Sequence, residues 1–226
     1  MRFALLFLAL LNLSSLIAQD TPKKIEIGLG GGLNYSFMSS KQFSGKQIAL
    51  PGFLFGLGSK LNLSKRLFLT GQVSYIKQST KYSSNNVFAS TTIFEMTYSI
   101  SWLAMPMQVN YLIGGSKTKN FFFGLGFSPR RLLSAKEDSY TIWNNGAGAV
   151  SGSASDRIND WNLFSTAQTG IRVPLKQGGS ILVLVSYERN IFNLQKTLPT
   201  SSTFAYVYDD SSAKLNSFSL GVSYYH

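Results

Sequence analysis

The stretch SFSLGVSYYH, residues 217–226, alternates small or polar residues with large apolar or aromatic ones. A period of two is the pattern of a β-strand whose two faces meet different surroundings. Its large residues are Phe218, Leu220, Val222 and Tyr224, and the only histidine of the chain, His226, continues their phase. The pattern predicts a strand that runs to the end of the sequence.

The composition narrows the class of protein to which this strand belongs. The 226 residues include no cysteine, which excludes disulfides and thiolate metal sites. Charged residues make up 14% of the chain, well below the roughly 25% typical of soluble domains. After the first 20 residues no apolar run approaches the length of a membrane-spanning helix. The remaining candidates are a soluble secreted β-protein and a β-barrel in an outer membrane.

The first residues, MRFALLFLALLNLSSLIAQD, have the form of a secretory signal peptide. One basic residue, Arg2, precedes an apolar run, and the small residue Ala18 suits a cleavage site. A transmembrane helix is the alternative, but the run is short for a span. We expect a signal peptide at residues 1–18 and a single domain at residues 19–226.

Seven further segments alternate as the final stretch does, and they predict eight strands in all. These segments lie near 25–38, 53–63, 67–75, 96–113, 121–128, 161–173 and 181–190. In the segment 96–113 the large residues change phase, from Met96, Tyr98 and Ile100 to Leu103 and those after it. A bulge near Trp102 would keep both sets on one face.

The face that carries the smaller residues distinguishes a soluble β-protein from a membrane barrel. It carries mainly Gly, Ser, Asn and Gln, which suit a crowded polar lumen better than a solvated surface. The bulky face then meets lipid, and the sheet must close because an open edge cannot satisfy its backbone groups there. The fold class is therefore all-β, an eight-stranded antiparallel up-and-down transmembrane β-barrel in the outer membrane.

Connection lengths give the expected orientation. Short connections are expected near 63–66, 113–119 and 174–179, and long ones near 39–51, 80–93, 134–159 and 191–213. Outer-membrane barrels have short periplasmic turns and long external loops. We expect four long external loops and both termini in the periplasm, where His226 would lie at a frayed end.

Two sets of charged residues follow from this arrangement. Five fall on the inward face and predict a polar plug that fills the narrow lumen: Glu26, Lys60, Arg130, Arg172 and Glu188. Seven cations predict a basic periplasmic rim: Lys23, Lys24, Lys65, Arg66, Lys117, Lys119 and Lys176. Such a rim suits membrane lipid phosphates, or else an acidic periplasmic partner. No basic patch with interleaved aromatic residues forms a groove, so we expect no nucleic acid partner.

The sequence favours a protein that is not an enzyme. Its sole histidine cannot form a Ser-His pair within a strand, and pairs of Cys or His for a metal are absent. A site built only of carboxylates, on Glu95, Asp138 or Glu188, is the catalytic alternative. We expect no cofactor.

The final strand has the alternation that barrel-assembly machinery recognises, which predicts an assembly signal in Phe218, Leu220, Val222, Tyr224 and His226.

Five segments together resemble the PorT-like family of outer-membrane β-barrel domains of Bacteroidota. They are GLGGGLNYS (28–36), GFLFGLGSKLNLSKRLFLTGQVSYIKQ (52–78), WLAMPMQVNYLI (102–113), FFFGLGFSPRRLL (121–133) and VSYERNIFNL (185–194). The namesake branch of that family is tied to protein secretion across the outer membrane. We interpret the chain as a small non-catalytic barrel with a structural or interaction role. The resemblance implies an accessory subunit of a secretion complex as the alternative, and a lipid-modifying enzyme is the weaker one.

Overall fold

The computed structural model describes residues 25–39, 46–85, 91–113, 120–143, 146–175, 179–194 and 213–226. These residues form ten β-strands and one short 3-10 helix, at Ser155–Arg157. The strands are β1 (Ile25–Ser39), β2 (Lys46–Asn62), β3 (Leu67–Asn85), β4 (Thr91–Ala104), β5 (Met107–Ile113), β6 (Asn120–Trp143), β7 (Gly146–Ser153), β8 (Trp161–Pro174), β9 (Ser180–Asn190) and β10 (Lys214–Tyr225).

The strands pair in antiparallel order into a closed ring. Strand β1 pairs with β2 on one side and with β10 on the other, so the first and last strands are neighbours. The pairings β2–β3, β6–β8, β8–β9 and β9–β10 continue the ring. Because the ring is closed, the backbone N–H and C=O groups along its strands find partners in neighbouring strands, as a sheet surrounded by lipid requires.

The predicted number of eight strands is corrected to ten. Strands β4 and β5 both lie between β3 and β6, and together they fill one position of the ring. Met105 and Pro106 separate them because proline has no N–H for the ladder. Among the described residues β7 pairs with β6 alone, outside the ring. Nine of the ten strands therefore occupy eight positions of the ring, and β7 lies outside it.

The large alternating side chains face outward, as the fold class requires. Ile27, Leu57, Phe121 and Leu220 are each between 58% and 69% exposed. Their small and polar neighbours face the interior, where Asn34 and Ser128 are buried. The exterior is thus an apolar belt suited to hydrocarbon, while the interior is narrow and closed.

The predicted facing of residues 96–100 is wrong. Met96, Tyr98 and Ile100 are buried in the interior, in phase with Trp102 and Leu112. The ladder between β4 and β6 does shift between Ser101 and Trp102, but the facing of β4 does not change there. These residues pack with Trp102 and Phe164 in one apolar cluster of the interior.

The strands also continue through much of three predicted long connections. Strand β2 begins at Lys46 rather than near residue 52, β3 continues to Asn85, and β6 continues to Trp143 and pairs with β7. Backbone pairing needs no bulky lipid-facing side chain, so the ladder extends beyond the apolar pattern. The connections at the opposite end are short, and 63–66 joins β2 to β3 directly.

Candidate functional site: the filled lumen

A network of ionic and polar side chains lies in the lumen at the end of the short turns. Register places Glu26 of β1 directly opposite Lys60 of β2, and Lys60 Nζ lies 2.6 Å from Glu26 Oε2. Asn62 donates a hydrogen bond of 2.9 Å to the other carboxylate oxygen, and Ser180 of β9 donates one of 3.3 Å to Oε2. Both charged side chains are buried, so each neutralises a charge that would be costly alone.

A second ion pair crosses the lumen nearer the long loops. Arg130 of β6 lies 2.6 Å from Glu188 of β9, although β8 stands between these strands in the ring. Arg130 also donates hydrogen bonds to Gln78 at 3.0 Å and Ser128 at 3.3 Å. Its guanidinium carbon lies 3.9 Å from the ring centre of Phe164. The arginine is 0% exposed, and its contacts join β3, β6, β8 and β9 across the barrel.

Arg172, the fifth predicted plug residue, takes part in neither ion pair. Its guanidinium carbon lies 5.9 Å from the ring centre of Phe68, which is buried at the short-turn end. Among the described residues no carboxylate forms an ion pair with Arg172. The structure thus brings Glu26 to Lys60 and Arg130 to Glu188, and leaves Arg172 against an aromatic ring.

A layer of neutral polar side chains lies between the two ion pairs. Gln168 donates a hydrogen bond of 2.6 Å to Asn110, which donates one of 3.0 Å to Thr70. Thr70 in turn donates to Gln108 at 2.9 Å. Gly124 makes room for this layer, because a Cβ there would lie 2.0 Å from Asn110 Oδ1. The glycine pattern of the inward face therefore serves packing across the lumen.

One cavity of about 60 Å³ remains in this layer. Gln72, Gln108, Ser219 and Glu188 are among the residues that line it. Gln72 Nε2 and Ser219 Oγ have no protein partner among the described residues, and a polar cavity of this size admits only a few water molecules. The described polar side chains therefore fill most of the lumen at this level.

Two apolar clusters lie in the lumen, and the alternation of the sequence did not predict either of them. The long-loop cluster comprises Ile76, Met96, Tyr98, Ile100, Trp102, Ala104, Ala135, Ala154, Ile158, Phe164, Leu194, Ala213 and Leu215. The short-turn cluster comprises Phe68, Leu112, Phe122, Leu182 and Tyr225. Leu182 and Phe122 could have indicated the short-turn cluster, because each places a large residue on the inward face of its strand.

Of the predicted basic rim, Lys65 and Arg66 lie within the described residues. Both are exposed in the turn between β2 and β3. Arg66 donates a hydrogen bond of 3.4 Å to the Tyr111 hydroxyl, and this bond raises the pKa of Arg66 above its ordinary value. The other five rim residues, Lys23, Lys24, Lys117, Lys119 and Lys176, lie outside the described residues, as does the predicted signal peptide, 1–18.

The predicted assembly signal lies on the outer face of β10. Its members Phe218, Leu220, Val222 and Tyr224 are exposed. His226 stacks on Tyr224 with ring centres 6.5 Å apart. The expectation of a frayed end is wrong, because His226 N donates to Ile27 O and Ile27 N donates to His226 O, each at 2.9 Å. The ladder between the last and first strands therefore includes His226.

Each candidate for a carboxylate-only site has a partner of its own. Glu95 pairs with Lys81 at 2.8 Å, Glu188 pairs with Arg130, and Asp138 accepts a hydrogen bond from Ser151. Within the described ranges no group of three or more His, Cys, Asp or Glu side chains could hold a metal ion. No helix in those ranges is long and apolar enough to cross a membrane.

The closed antiparallel ring, its apolar exterior and its packed interior define a β-barrel of the outer-membrane type. Residues 17–196 match the family model described as "Outer membrane protein beta-barrel domain". The match covers most of the chain, and the protein belongs to that family. Membership also supports an outer-membrane location.

Comparison with solved structures gives similarities at low sequence identity and with TM-scores below 0.5. The attachment invasion locus protein Ail of Yersinia pestis is 12% identical, with 89% of this chain and 98% of that chain covered and a TM-score of 0.37. Neisserial surface protein A is 11% identical, with coverage of 88% and 96% and a TM-score of 0.42. OprG of Pseudomonas aeruginosa is 9% identical, with coverage of 93% and 98% and a TM-score of 0.45. Comparison with curated protein sequences found no match.

Proposed function

We propose that this protein is a small non-catalytic outer-membrane barrel with a structural or interaction role, and that it conducts no solutes. The observation that carries the proposal is the filled lumen. The ion pairs Glu26–Lys60 and Arg130–Glu188 fill the lumen together with two apolar clusters, and a cavity within it measures about 60 Å³. An eight-position ring is only wide enough for its own side chains.

The placement of the chemically reactive residues supports a role without catalysis. His226 lies at the outer surface beside Tyr224, away from the lumen. Glu26, Glu95 and Glu188 are each held by a separate cation. A general base must lie within hydrogen-bond reach of the proton that it removes from a substrate, and each of these carboxylates is instead engaged by its cation.

Solute flux into vesicles tests this proposal. Purified protein in phospholipid vesicles should cause no swelling in isosmotic solutions of small sugars, since the lumen has no path for them. A general porin in the same vesicles is the positive control. Swelling at a rate proportional to the amount of folded protein would contradict the proposal.

The alternative is an accessory subunit of a secretion complex in the PorT-like manner. The resemblance of residues 102–113 and 185–194 to that family favours it, as do the exposed cations Lys65 and Arg66 at the short-turn rim. Gentle solubilisation followed by size analysis distinguishes the two roles. A stoichiometric larger assembly would support the subunit, whereas an isolated barrel would support the independent role.

A further inference from the structure

Strand β7 lies at an edge of the sheet, beyond the level at which β8 begins. The pairing of β6 with β8 ends at Arg131, which lies opposite Trp161. From Lys136 to Trp143 the same side of β6 pairs with β7, while β4 lies on its other side. Among the described residues β7 has no strand on its far side. The hairpin of β6 and β7 therefore ends in an edge strand.

This edge presents the backbone groups of four residues. Ala154 N donates to Ala135 O at 3.0 Å, which continues the register of the β6–β7 ladder. In an antiparallel pair, residues that exchange hydrogen bonds with the partner strand alternate with residues whose N–H and C=O point away from it. Counted from Ala154, the residues whose backbone groups point away from β6 are Ala147, Ala149, Ser151 and Ser153.

The edge of β7 has none of the features that usually prevent strands from pairing. Such edges are short, charged, bulged or interrupted by proline. The sequence of β7, GAGAVSGS, contains no charge and no proline, and its register with β6 has no shift. By contrast, β2 lacks a β1 partner before Leu50 among the described residues, and there it has Lys46 and a register shift before Phe53. The edge of β7 can therefore accept a further strand.

The surroundings of this edge are polar but electrically balanced. Lys136 and Asp138 are exposed on the outer face of β6, so this part of the hairpin lies beyond the apolar belt. Glu137, on the other face, pairs with Arg157 at 2.8 Å. The cations and carboxylates beside the edge cancel, and the edge offers backbone hydrogen bonds rather than charge. The matching partner is an uncharged segment in an extended conformation.

A second barrel in the same membrane does not fit this edge. Two antiparallel β7 strands would be related by a two-fold axis perpendicular to the sheet. Because the barrel wall stands along the membrane normal, that axis lies in the membrane plane and inverts the second barrel. A two-fold axis along the normal would instead cross the strands at twice their tilt, about 70–90°, and no ladder forms at such an angle. The occupant therefore comes from outside this membrane.

We propose that β7 is a docking edge for an uncharged, extended segment of a partner protein on the long-loop side, which joins the sheet as an antiparallel strand. In this mode of recognition the main-chain hydrogen bonds provide the affinity. The small side chains of Ala147, Ala149 and Ser151 let the partner backbone approach. The inference rests on the interaction role proposed above, and its failure would leave the closed lumen, which solute flux tests separately.

Amide hydrogen exchange, read by NMR on the full protein in micelles, tests the edge. In the free protein the amides of Ala147, Ala149, Ser151 and Ser153 should exchange about tenfold faster than that of Val150, which is bonded to β6. The probe is a peptide of alternating threonine and valine, blocked at both ends. It should slow the four edge amides by about tenfold, and to the same extent at high salt.

Two variants at one position separate the edge from the rest of β7. Ala149→Pro removes an N–H that points away from β6, and it should abolish the protection of the remaining edge amides. Ala149→Val keeps this N–H and should preserve the protection. Slow exchange of Val150 in both variants verifies that the hairpin is intact. A peptide N-methylated at alternate residues should not protect, and it tests the proposal even if Ala149→Pro disrupts the hairpin.

Four results would each overturn the proposal. The first is slow exchange of the edge amides in the free protein, which would mean that another part of the chain covers β7. The second is an absence of protection at every soluble concentration of the peptide. The third is equal protection by the N-methylated peptide or in Ala149→Pro. The fourth is tethering of vesicles by the protein alone through β7, which would make the occupant an inverted copy of the barrel.

Discussion

Arg130 and Glu188 lie 2.6 Å apart inside the barrel, on strands β6 and β9 that are not neighbours in the ring. The bond therefore spans the lumen rather than a strand ladder. Arg130 is completely buried and also contacts Gln78 and Phe164. A charge so deeply buried requires its partner, and this requirement makes the pair a test of the filled lumen.

Glu188→Gln should lower the free energy of unfolding by about 3–5 kcal/mol, because it leaves Arg130 buried without a counter-charge. Urea titration of the protein in vesicles, followed by tryptophan fluorescence, measures the change. Glu95→Gln is the matched control: the Glu95–Lys81 pair is partly exposed, so its loss should cost less than about 1 kcal/mol. Equal effects of the two variants would place Arg130 in contact with water.

Exchange of the charges at Glu26 and Lys60 should be better tolerated than either single change. Glu26→Lys alone puts two cations side by side in the lumen, whereas Glu26→Lys with Lys60→Glu restores an ion pair between directly opposed residues. The folded fraction after refolding, read from heat-modifiable migration on gels, measures this. A double variant no better than the worse single one would mean that the pair does not act as a unit.

His226→Phe should leave membrane insertion unchanged or improve it, because an aromatic ring can take the same place beside Tyr224 at the membrane interface. Deletion of Tyr224 to His226 should deplete the protein from the outer membrane, since it also removes the backbone bonds between His226 and Ile27. Immunoblots of fractionated membranes measure both. Normal insertion of the deleted chain would refute the assembly role of these residues.

Single cysteines can establish the orientation of the barrel, because the chain contains no native cysteine. Ser153→Cys, at the end of β7 on the long-loop side, should react with an impermeant maleimide on intact cells. Lys65→Cys, in a short turn, should react only after the outer membrane is permeabilised. The reverse pattern would move Lys65 and Arg66 to the cell surface.

The ring and the Glu26–Lys60 ion pair were predictable from sequence for one physical reason. Strict alternation fixes which residues share a face, and hydrogen-bond register then brings Glu26 opposite Lys60. Arg130 and Glu188 could be assigned to the same interior, but their contact across the lumen depends on the curvature of the closed ring. Local sequence does not encode that curvature.

The apolar clusters and the strand ends were not predictable by the same argument. Alternation distinguishes two faces only when one is polar, and in β4 the large residues Met96 and Tyr98 occupy the interior. The rule that bulky residues face lipid therefore failed there. Similarly, residues 77–85 of β3 pair in a ladder although their pattern is mostly polar, because hydrogen bonding continues where the apolar belt ends.

Single-channel recording tests the central claim, that the lumen is closed, most directly. Folded protein inserted in a planar bilayer should give no discrete current steps in concentrated potassium chloride. A general porin inserted in the same bilayer is the positive control and should give steps. Stable, reproducible steps from the unmodified protein would contradict the account.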